Sequence, residues 1–420
     1  MAIEHREILK SASFTDSLIR DKVLHKLRGL RYGRLTIIDS NGTEFFGDLS
    51  TEQDLCAKII VHDFAFYRAA AFGGSVGAAE AYVAGFWTTD NLVDVVRILV
   101  RNRDVLDGME EGTATISSAL MKFWHWLNKN TLRGSRKNIA AHYDLGNDFF
   151  RLFLDSKLMY SSAVFLDEKE TLEQASTRKL QRICEKLKLN KNDHLLEIGS
   201  GWGGFAVYAA LNYGCRVTTA TISKQQYDAT QERIRSFGLQ DKVQVVLRDY
   251  RHLSGKYDKI VSIEMVEAVG HQYLPAYYQQ CSRLLKEDGM FLMQAITIED
   301  HRYEKALGSV DFIKRYIFPG SFIPCASVLT TEAANAGLRL FNLEDIGPSY
   351  ALTLKHWRNR FLSNLFYVRR QGFSEDFIRM WEFYLAYCEG GFLERSISNV
   401  QMLFVKPGNR RTQWLPDDTS

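Results

Sequence analysis

The sequence predicts an α/β protein, a doubly wound and largely parallel sheet preceded by a small α+β unit. Three observations predict it. From Leu195 onward, short apolar runs alternate with amphipathic stretches. The first run, Leu195-Leu196-Glu197-Ile198, breaks into Gly199-Ser200-Gly201-Trp202-Gly203-Gly204 ahead of Phe205-Ala206-Val207, the pattern of a strand, a tight turn and a helix start. The N-terminal stretch instead carries a hairpin signal and two helical segments. Alternating strands and helices imply a parallel sheet covered on both faces. Such sheets take ligands at the C-terminal ends of their strands, where the glycine turn lies.

In the N-terminal unit, Leu35–Asp39 and Thr43–Phe46 flank Ser40-Asn41-Gly42, and Asn-Gly between apolar runs signals a hairpin. Ala57–His62 is a further strand, and Phe64–Phe72 and Leu92–Val100 are helical. Glu80, Tyr82 and Trp87 read as packing and surface residues. Phe123-Trp124-His125-Trp126-Leu127, followed by Lys129, Arg133, Arg136 and Lys137, suits either a bilayer interface or an interdomain helix with a basic end. These features divide the chain into an N-terminal α+β domain (1–115), a linker (116–137) and a catalytic domain (138–420). In the last, strands are expected at Leu195–Ile198, Arg216–Ala220, Val243–Leu247, Lys259–Ile263 and Met290–Ala295, with helices at Thr171–Leu187 and Gln225–Phe237.

Composition narrows the function. The chain has 420 residues, a formal net charge of +3 and six scattered cysteines without a C-x-x-C pair. Zinc, or any other metal, and a disulfide framework are not expected. No apolar run is long enough to span a bilayer and no apolar signal core opens the chain, so a cytoplasmic home is expected, with any membrane met from the surface. A near-balanced charge does not suggest nucleic acid.

The glycine turn can hold an anionic group, because glycine lets a ligand approach the backbone and a helix start exposes N–H groups. Its spacing is G-x-G-x-G-G, not the G-x-G-x-x-G of a dinucleotide site. Thr218–Lys224 also offers no acid where such a site wants one, about 20 residues on. NAD is therefore disfavoured. The pattern is closer to the S-adenosylmethionine loop of methyltransferases, with Glu197 ending the first strand.

From about Asn138 onward the chain resembles the cyclopropane fatty acid synthases, which include the mycolic acid cyclopropane synthases. The resemblance rests on His142-Tyr143-Asp144-Leu145-Gly146-Asn147-Asp148-Phe149-Phe150, Met159-Tyr160-Ser161-Ser162-Ala163, the glycine loop, Thr221-Ile222-Ser223-Lys224-Gln225-Gln226, Arg248-Asp249-Tyr250-Arg251, Glu264-Met265-Val266-Glu267-Ala268-Val269-Gly270 and Tyr316-Ile317-Phe318-Pro319-Gly320. The N-terminal third is similar, less specifically, to the lipid-binding domain of the larger synthases. The resemblance implies a Rossmann-like class I methyltransferase. Its reaction moves a methyl(ene) group from S-adenosylmethionine to a cis double bond of a phospholipid acyl chain, forming a cyclopropane. It implies that Tyr160, Ser161, Gly199 and Gly201 hold the methionine end, Gln226 the ribose, and Asp249 with Tyr250 the adenine. Glu197, Gly203 and Thr221 complete the cofactor site. It also implies a bound bicarbonate as base, held by Glu267, Tyr350, Ile296 and the Ser162 loop, and possible homodimerisation.

An alkene is a weak nucleophile and the sulfonium methyl is already activated, so alignment in a dry pocket matters more than acid–base work. Aromatic faces can stabilise the carbocation that follows. Tyr143, Phe149, Phe312, Tyr316 and Phe318 are expected at the substrate, with Phe150, Phe165 and Tyr350 as further candidates. Two positions depart from the family pattern. Gln294 stands where histidine is common, and Ser162 where cysteine is common. Gln294 can donate hydrogen bonds to an anion but cannot become cationic. Either the anion site persists, or the proton leaves elsewhere and the product is a methyl branch or a methylene group. A small-molecule amine as acceptor, or a lipid-binding protein whose site has decayed, are the competing readings. Lastly, Leu352–Phe373 carries five Lys/Arg and no acid, with Leu354, Trp357, Phe361 and Leu365 on one helical face. It suits either docking at the inner face of an anionic membrane or a core-packed helix with a solvated basic side.

Overall fold

The computed structural model describes residues 14–48, 55–104 and 145–412. Tyr143, the 116–137 linker and its aromatic–basic stretch lie outside the described residues. The chain forms two compact units that do not follow one another linearly. The first combines the described N-terminal residues with Ser309–Ile317 and Phe361–Ser396, and the second holds the remainder.

The first unit is built on a four-stranded sheet of order β2-β1-β3-β4, with β1 Arg34–Asp39, β2 Gly42–Phe46, β3 Cys56–Val61 and β4 Trp87–Thr89. The hairpin forms, but its register pairs Asp39 with Gly42. Ser40 and Asn41 therefore make the turn, held by Asn41 N–H donating to Asp39 Oδ1 at 2.8 Å, and Gly42 opens β2. The expected helix at Phe64–Phe72 runs much further, as Ala65–Val83, with a kink where Gly74 takes φ +55°. The helix Leu92–Arg101 is capped by Asn91.

The expected catalytic domain, 138–420 without interruption, is corrected here: two of its segments pack with the N-terminal unit. The helix Glu375–Leu393 buries Trp381, Tyr384, Leu385 and Phe392. Its Gly390 lies so close to the Leu92–Arg101 helix that a Cβ there would come within 2.7 Å of Val96 Cγ1. Just beyond it, Glu394 accepts from Arg97 at 2.7 Å and Arg101 at 2.6 Å. Helical amphipathicity marks a face for burial but not its partner, so the sequence holds no local sign of this return.

The second unit contains a seven-stranded sheet of order β10-β11-β9-β8-β5-β6-β7. Its strands are β5 His194–Ile198, β6 Arg216–Thr221, β7 Val243–Leu247, β8 Tyr257–Ile263, β9 Leu285–Ile298, β10 Arg339–Asp345 and β11 Ile397–Val405. The five expected strands are present and parallel. β10 and β11 were not expected, and β11 pairs antiparallel with both its neighbours. Both faces are buried: Leu196, Ile260, Phe291 and Met402 pack on one side, and Leu195, Val261, Leu292 and Leu403 on the other. Alternate residues thus enter two cores, which is why these strands read as continuous apolar runs. The chain winds from β5 through β6 to β7, then returns to β8 on the other side of β5. The crevice outside the ends of β5 and β8 is therefore the switch point where open α/β sheets bind ligands.

Phe291 is fully buried, with its ring against Tyr277, Tyr278 and Phe404. Phe291→Ala is expected to lower stability by about 3–5 kcal/mol, read as an earlier thermal unfolding transition; an unchanged transition would contradict this packing.

Candidate active site

The glycine loop follows β5 directly. Gly199, Gly201 and Gly203 take φ of +96°, +49° and +78°, a region that disfavours other residues. A Cβ on Gly203 would approach Thr230 Cγ2 to 2.8 Å, whereas one on Gly201 would meet nothing within 4 Å. The loop is thus tight on its helix side and open on the other, as a cradle for a ligand must be. Glu197 is buried at the end of β5 and accepts from Thr219 Oγ1 at 2.6 Å; burial pushes its carboxyl up to about 8. At the end of β6, Thr221 Oγ1 donates to Gln226 Oε1 at 2.9 Å, turning the buried Gln226 side chain toward the strand end. Asp249 and Tyr250 follow β7. Burial works against the Asp249 charge, but hydrogen bonds from Arg251 outweigh it and hold the carboxyl below the usual range. These residues lie on consecutive strand ends of one sheet and fit an amino-acid carboxylate, a ribose and an adenine.

The loop carrying Tyr160, Ser161 and Ser162 is shaped by Asp155, which accepts from the backbone N–H groups of Lys157 at 3.0 Å and Met159 at 2.8 Å. Ser161 Oγ accepts from Lys179 Nζ at 2.6 Å. That lysine is fully buried, and burial lowers its ammonium to about 8, with Glu264 the foremost charge opposing the shift.

Glu264 and Glu267 follow β8. Glu264 is a non-glycine residue at φ +47°, a strained conformation of the kind found at functional sites. Its N–H donates to Gln294 O at 2.7 Å. Its Oε1 accepts from Ser162 N–H at 2.9 Å, Gln294 Nε2 at 2.8 Å and Asn399 Nδ2 at 2.7 Å, and its Oε2 from the Tyr350 hydroxyl at 2.8 Å. Glu267 Oε1 accepts from Ile296 N–H at 2.6 Å. Its Oε2 is buried without a partner among the described residues. Burial, reinforced by the Glu264 charge, pushes the Glu267 carboxyl up to about 8.

This arrangement corrects the expected bicarbonate site. Ser162, Gln294 and Tyr350 do converge, but on the carboxylate of Glu264, and Ile296 serves Glu267 instead. A free anion among these donors would lie beside a resident carboxylate. Two unit charges 4 Å apart repel by about 4 kcal/mol at an effective dielectric near 20. The residues do not fit a separate bicarbonate.

Aromatic rings flank the cluster. Tyr160 lies 5.3 Å from Phe150, 5.3 Å from Trp357 and 6.4 Å from Phe318, and Tyr350 meets Trp357 edge-on at 6.0 Å. Phe318, expected at the substrate, thus stands beside the loop that carries Tyr160. Phe149 is fully buried against Phe150 and Phe153, so it packs behind this wall and presents no face to substrate. Phe312 and Tyr316 belong to the first unit, where Phe312 packs on Phe383 at 4.8 Å and the Tyr316 hydroxyl donates to Glu80. Phe165 stacks on His356 at 5.4 Å.

Sequence reasoning missed Glu264, Asn399, Gln401 and Lys179 as site residues. Glu264 was visible as a second carboxylate three positions before Glu267. Asn399 and Gln401 needed the register of β11, which sets them opposite Ile296 and Gln294 on β9.

Residues 130–402 match the family described as mycolic acid cyclopropane synthetase, and the chain belongs to that family. It is 34% identical over 354 residues to the tuberculostearic acid methyltransferase UfaA1 of Mycobacterium tuberculosis, covering 80% of each chain. It is 35% identical over 357 residues to the cyclopropane-fatty-acyl-phospholipid synthase of Escherichia coli K12, covering 83% of this chain and 88% of that one. Among solved structures, the cyclopropane synthase CmaA1 in complex with SAH and CTAB has 30% identity and a TM-score of 0.60, over 64% of this chain and 98% of that one. A coclaurine N-methyltransferase with a TM-score of 0.59 is 19% identical and shares the fold alone. The protein is an S-adenosylmethionine-dependent methyltransferase with the class I Rossmann-like fold, in a family acting on lipids.

Glu267 gives a pH signature. Its carboxyl titrates near 8 when folded against an ordinary 4.5, so the folded chain keeps a proton that the unfolded chain releases between those values. Its contribution to stability therefore declines as pH rises through that window. Glu267→Gln cannot lose the proton, so its thermal midpoint should gain on the wild type from pH 5 to 8; parallel midpoints would contradict the burial.

Proposed function

We propose that the protein transfers a methyl(ene) group from S-adenosylmethionine to the cis double bond of an unsaturated acyl chain in membrane phospholipid, forming a cyclopropane. The observation that carries this reading is the juxtaposition, at adjacent strand ends of one sheet, of a cofactor-type glycine loop, an aromatic wall and a carboxyl–amide cluster. Tyr160, Ser161, Glu197, Gly199, Gly201, Gly203, Thr221, Gln226, Asp249 and Tyr250 hold the cofactor, which supplies a methyl group activated by its sulfonium. Alkylation of the alkene leaves a cation on the acyl chain. The faces of Tyr160 and Phe318 stabilise that cation without trapping it, since aromatic rings attract charge but are poor nucleophiles here. Buried Trp357 and Phe150 keep the wall rigid and dry. Loss of a proton from the transferred carbon closes the ring.

A second reading, a methylated chain without a ring, is favoured by one observation: Ser162 and Gln294 direct their donors to Glu264, a different acid arrangement from the one the family resemblance implies. The two readings separate in one assay. With labelled cofactor and vesicles of cis-unsaturated phospholipid, mass spectra of the released fatty acids should show one added CH₂ with the double bond lost. A ring-free product that keeps one double bond, a methylene branch or a methylated alkene formed by proton loss from the cation, would establish the second reading, and no labelled lipid would contradict both.

Reaching such a chain requires peripheral association with the inner membrane face. No helix among the described residues is long and apolar enough to cross a membrane. Leu354, Trp357 and Phe361 are buried, so the apolar face expected to dock is core instead. The short helix Leu365–Arg370 keeps Phe366 and Tyr367 exposed, with Arg370 over the Phe366 ring at 5.8 Å. Aromatics beside cations suit an anionic interface. Vesicle binding should strengthen with anionic lipid, weaken with salt, and fall on joint Phe366→Ala and Tyr367→Ala substitution; binding indifferent to all three would contradict docking by this helix.

A further inference from the structure

We infer that the Glu264 carboxylate takes the place of a free anion in this enzyme and is itself the proton acceptor for the acyl-chain cation. The inference rests on the alkene chemistry proposed above and names the group that completes it.

Two features of Glu264 carry it. The first is its pattern of donors. Ser162 N–H, Gln294 Nε2, Asn399 Nδ2 and the Tyr350 hydroxyl all lie within donating distance of it, a set of four donors that suits a carboxylate. These donors come from four separate parts of the fold: a loop, two strands and a helix. The residue is itself partly exposed while Ser162, Gln294, Asn399 and Tyr350 are buried around it. The carboxylate is therefore gripped by buried donors, on a residue that is not itself fully enclosed.

The second feature is that one of its donors, Gln294, is oriented by a chain that allows no reversal. Lys186 can only donate, and its Nζ lies 2.9 Å from Gln401 Oε1. That turns Gln401 Nε2 onto Gln294 Oε1 at 3.0 Å, and so turns Gln294 Nε2 onto Glu264 Oε1 at 2.8 Å. A buried ammonium at one end thus dictates the direction of two amides and delivers a donor, never an acceptor, to the carboxylate. Lys186 is anchored in turn by Glu344. Gln401 and Lys186 are positioning residues for Glu264.

The two oxygens are not equivalent. Oε1 accepts from three groups, and Oε2, among the described residues, from Tyr350 alone. Oε2 keeps a lone pair for a proton and stands beside Tyr350, whose ring meets Trp357 at the aromatic wall. In the step, a C–H bond on the transferred carbon breaks. Its electron pair closes onto the cationic carbon of the acyl chain, and the proton passes to Glu264 Oε2, to be released to solvent after the product leaves. Glu267, whose buried carboxyl resists ionisation, does not compete for this role.

The test compares wild type with Glu264→Gln and Glu264→Gly, in buffers stripped of carbon dioxide or supplemented with bicarbonate. Calorimetric binding of S-adenosylmethionine reports the folded state of each variant. Glycine suits the left-handed φ at this position, so that variant is expected to fold. Wild-type turnover should not respond to bicarbonate. Glu264→Gln should lose about 100-fold or more in turnover, the scale of general-base catalysis, with cofactor affinity kept. Glu264→Gly should regain activity with bicarbonate, and ¹³C-bicarbonate resonances should broaden with this variant but not with wild type. For the positioning role, Gln401→Leu should lower kcat and leave the lipid KM unchanged. A wild type that binds or needs bicarbonate, or a Glu264→Gln enzyme with full turnover, would overturn the inference. If no variant and no wild type methylates lipid, the acyl-chain reading fails, while the bicarbonate resonances still decide whether Glu264 fills the anion site.

Discussion

One half-buried carboxylate organises the centre of the second unit. A charge at the end of a sheet strand must be given donors, because leaving it unpaired in a poorly solvated crevice costs several kcal/mol. Glu264 obtains them from the Ser162 loop, from β9, from β11 and from the helix Gly347–Ser363. Each of those elements is fixed where it is partly by that demand. The strain of φ +47° at Glu264 is tolerated because so many partners determine its position.

The cofactor side and the carboxyl side then divide the work. Strands β5, β6 and β7 end in groups suited to a polar ligand: open glycine backbone, the Thr221–Gln226 pair and the Asp249–Arg251 pair. Strands β8, β9 and β11 bring together the acids and amides of the cluster around Glu264, the proposed proton acceptor. Tyr160 packs with Trp357, Phe318 and Phe150 in one aromatic wall, which meets the carboxyl cluster through Tyr350. The alkene proposed as acceptor would need little else, since its reaction partner arrives activated and the danger is premature capture of the cation by water.

Much of this was legible in the sequence. The five parallel strands and the glycine turn follow from apolar alternation and loop chemistry, and the motifs from Met159 to Gly270 identify the family. What was not legible depended on long-range pairing. β11 is itself an apolar run, but nothing local says that it inserts antiparallel beside β9, and only that register brings Asn399 and Gln401 to the site. The Gln294 side chain could be read as a donor, but its recipient could not, because Glu264 reaches it through a left-handed turn that sequence pattern does not encode. Likewise, the basic segment from Leu352 has the pattern of a docking helix, and burial of Trp357 and Phe361 decides otherwise for most of it. The helix Glu375–Leu393 returns to the N-terminal unit through contacts such as Gly390 on Val96, which composition does not reveal.

The central claim is that a resident carboxylate, and not a bound anion, collects the donors at the ends of β8, β9 and β11. A crystal structure of the enzyme with S-adenosylhomocysteine, grown in bicarbonate, tests it most directly. The account predicts continuous density for the Glu264 side chain with Ser162, Gln294, Asn399 and Tyr350 within hydrogen-bond reach, and no separate planar anion among them. A bicarbonate held by Tyr350, Gln294 and Glu267, with the Glu264 side chain turned away, would contradict it.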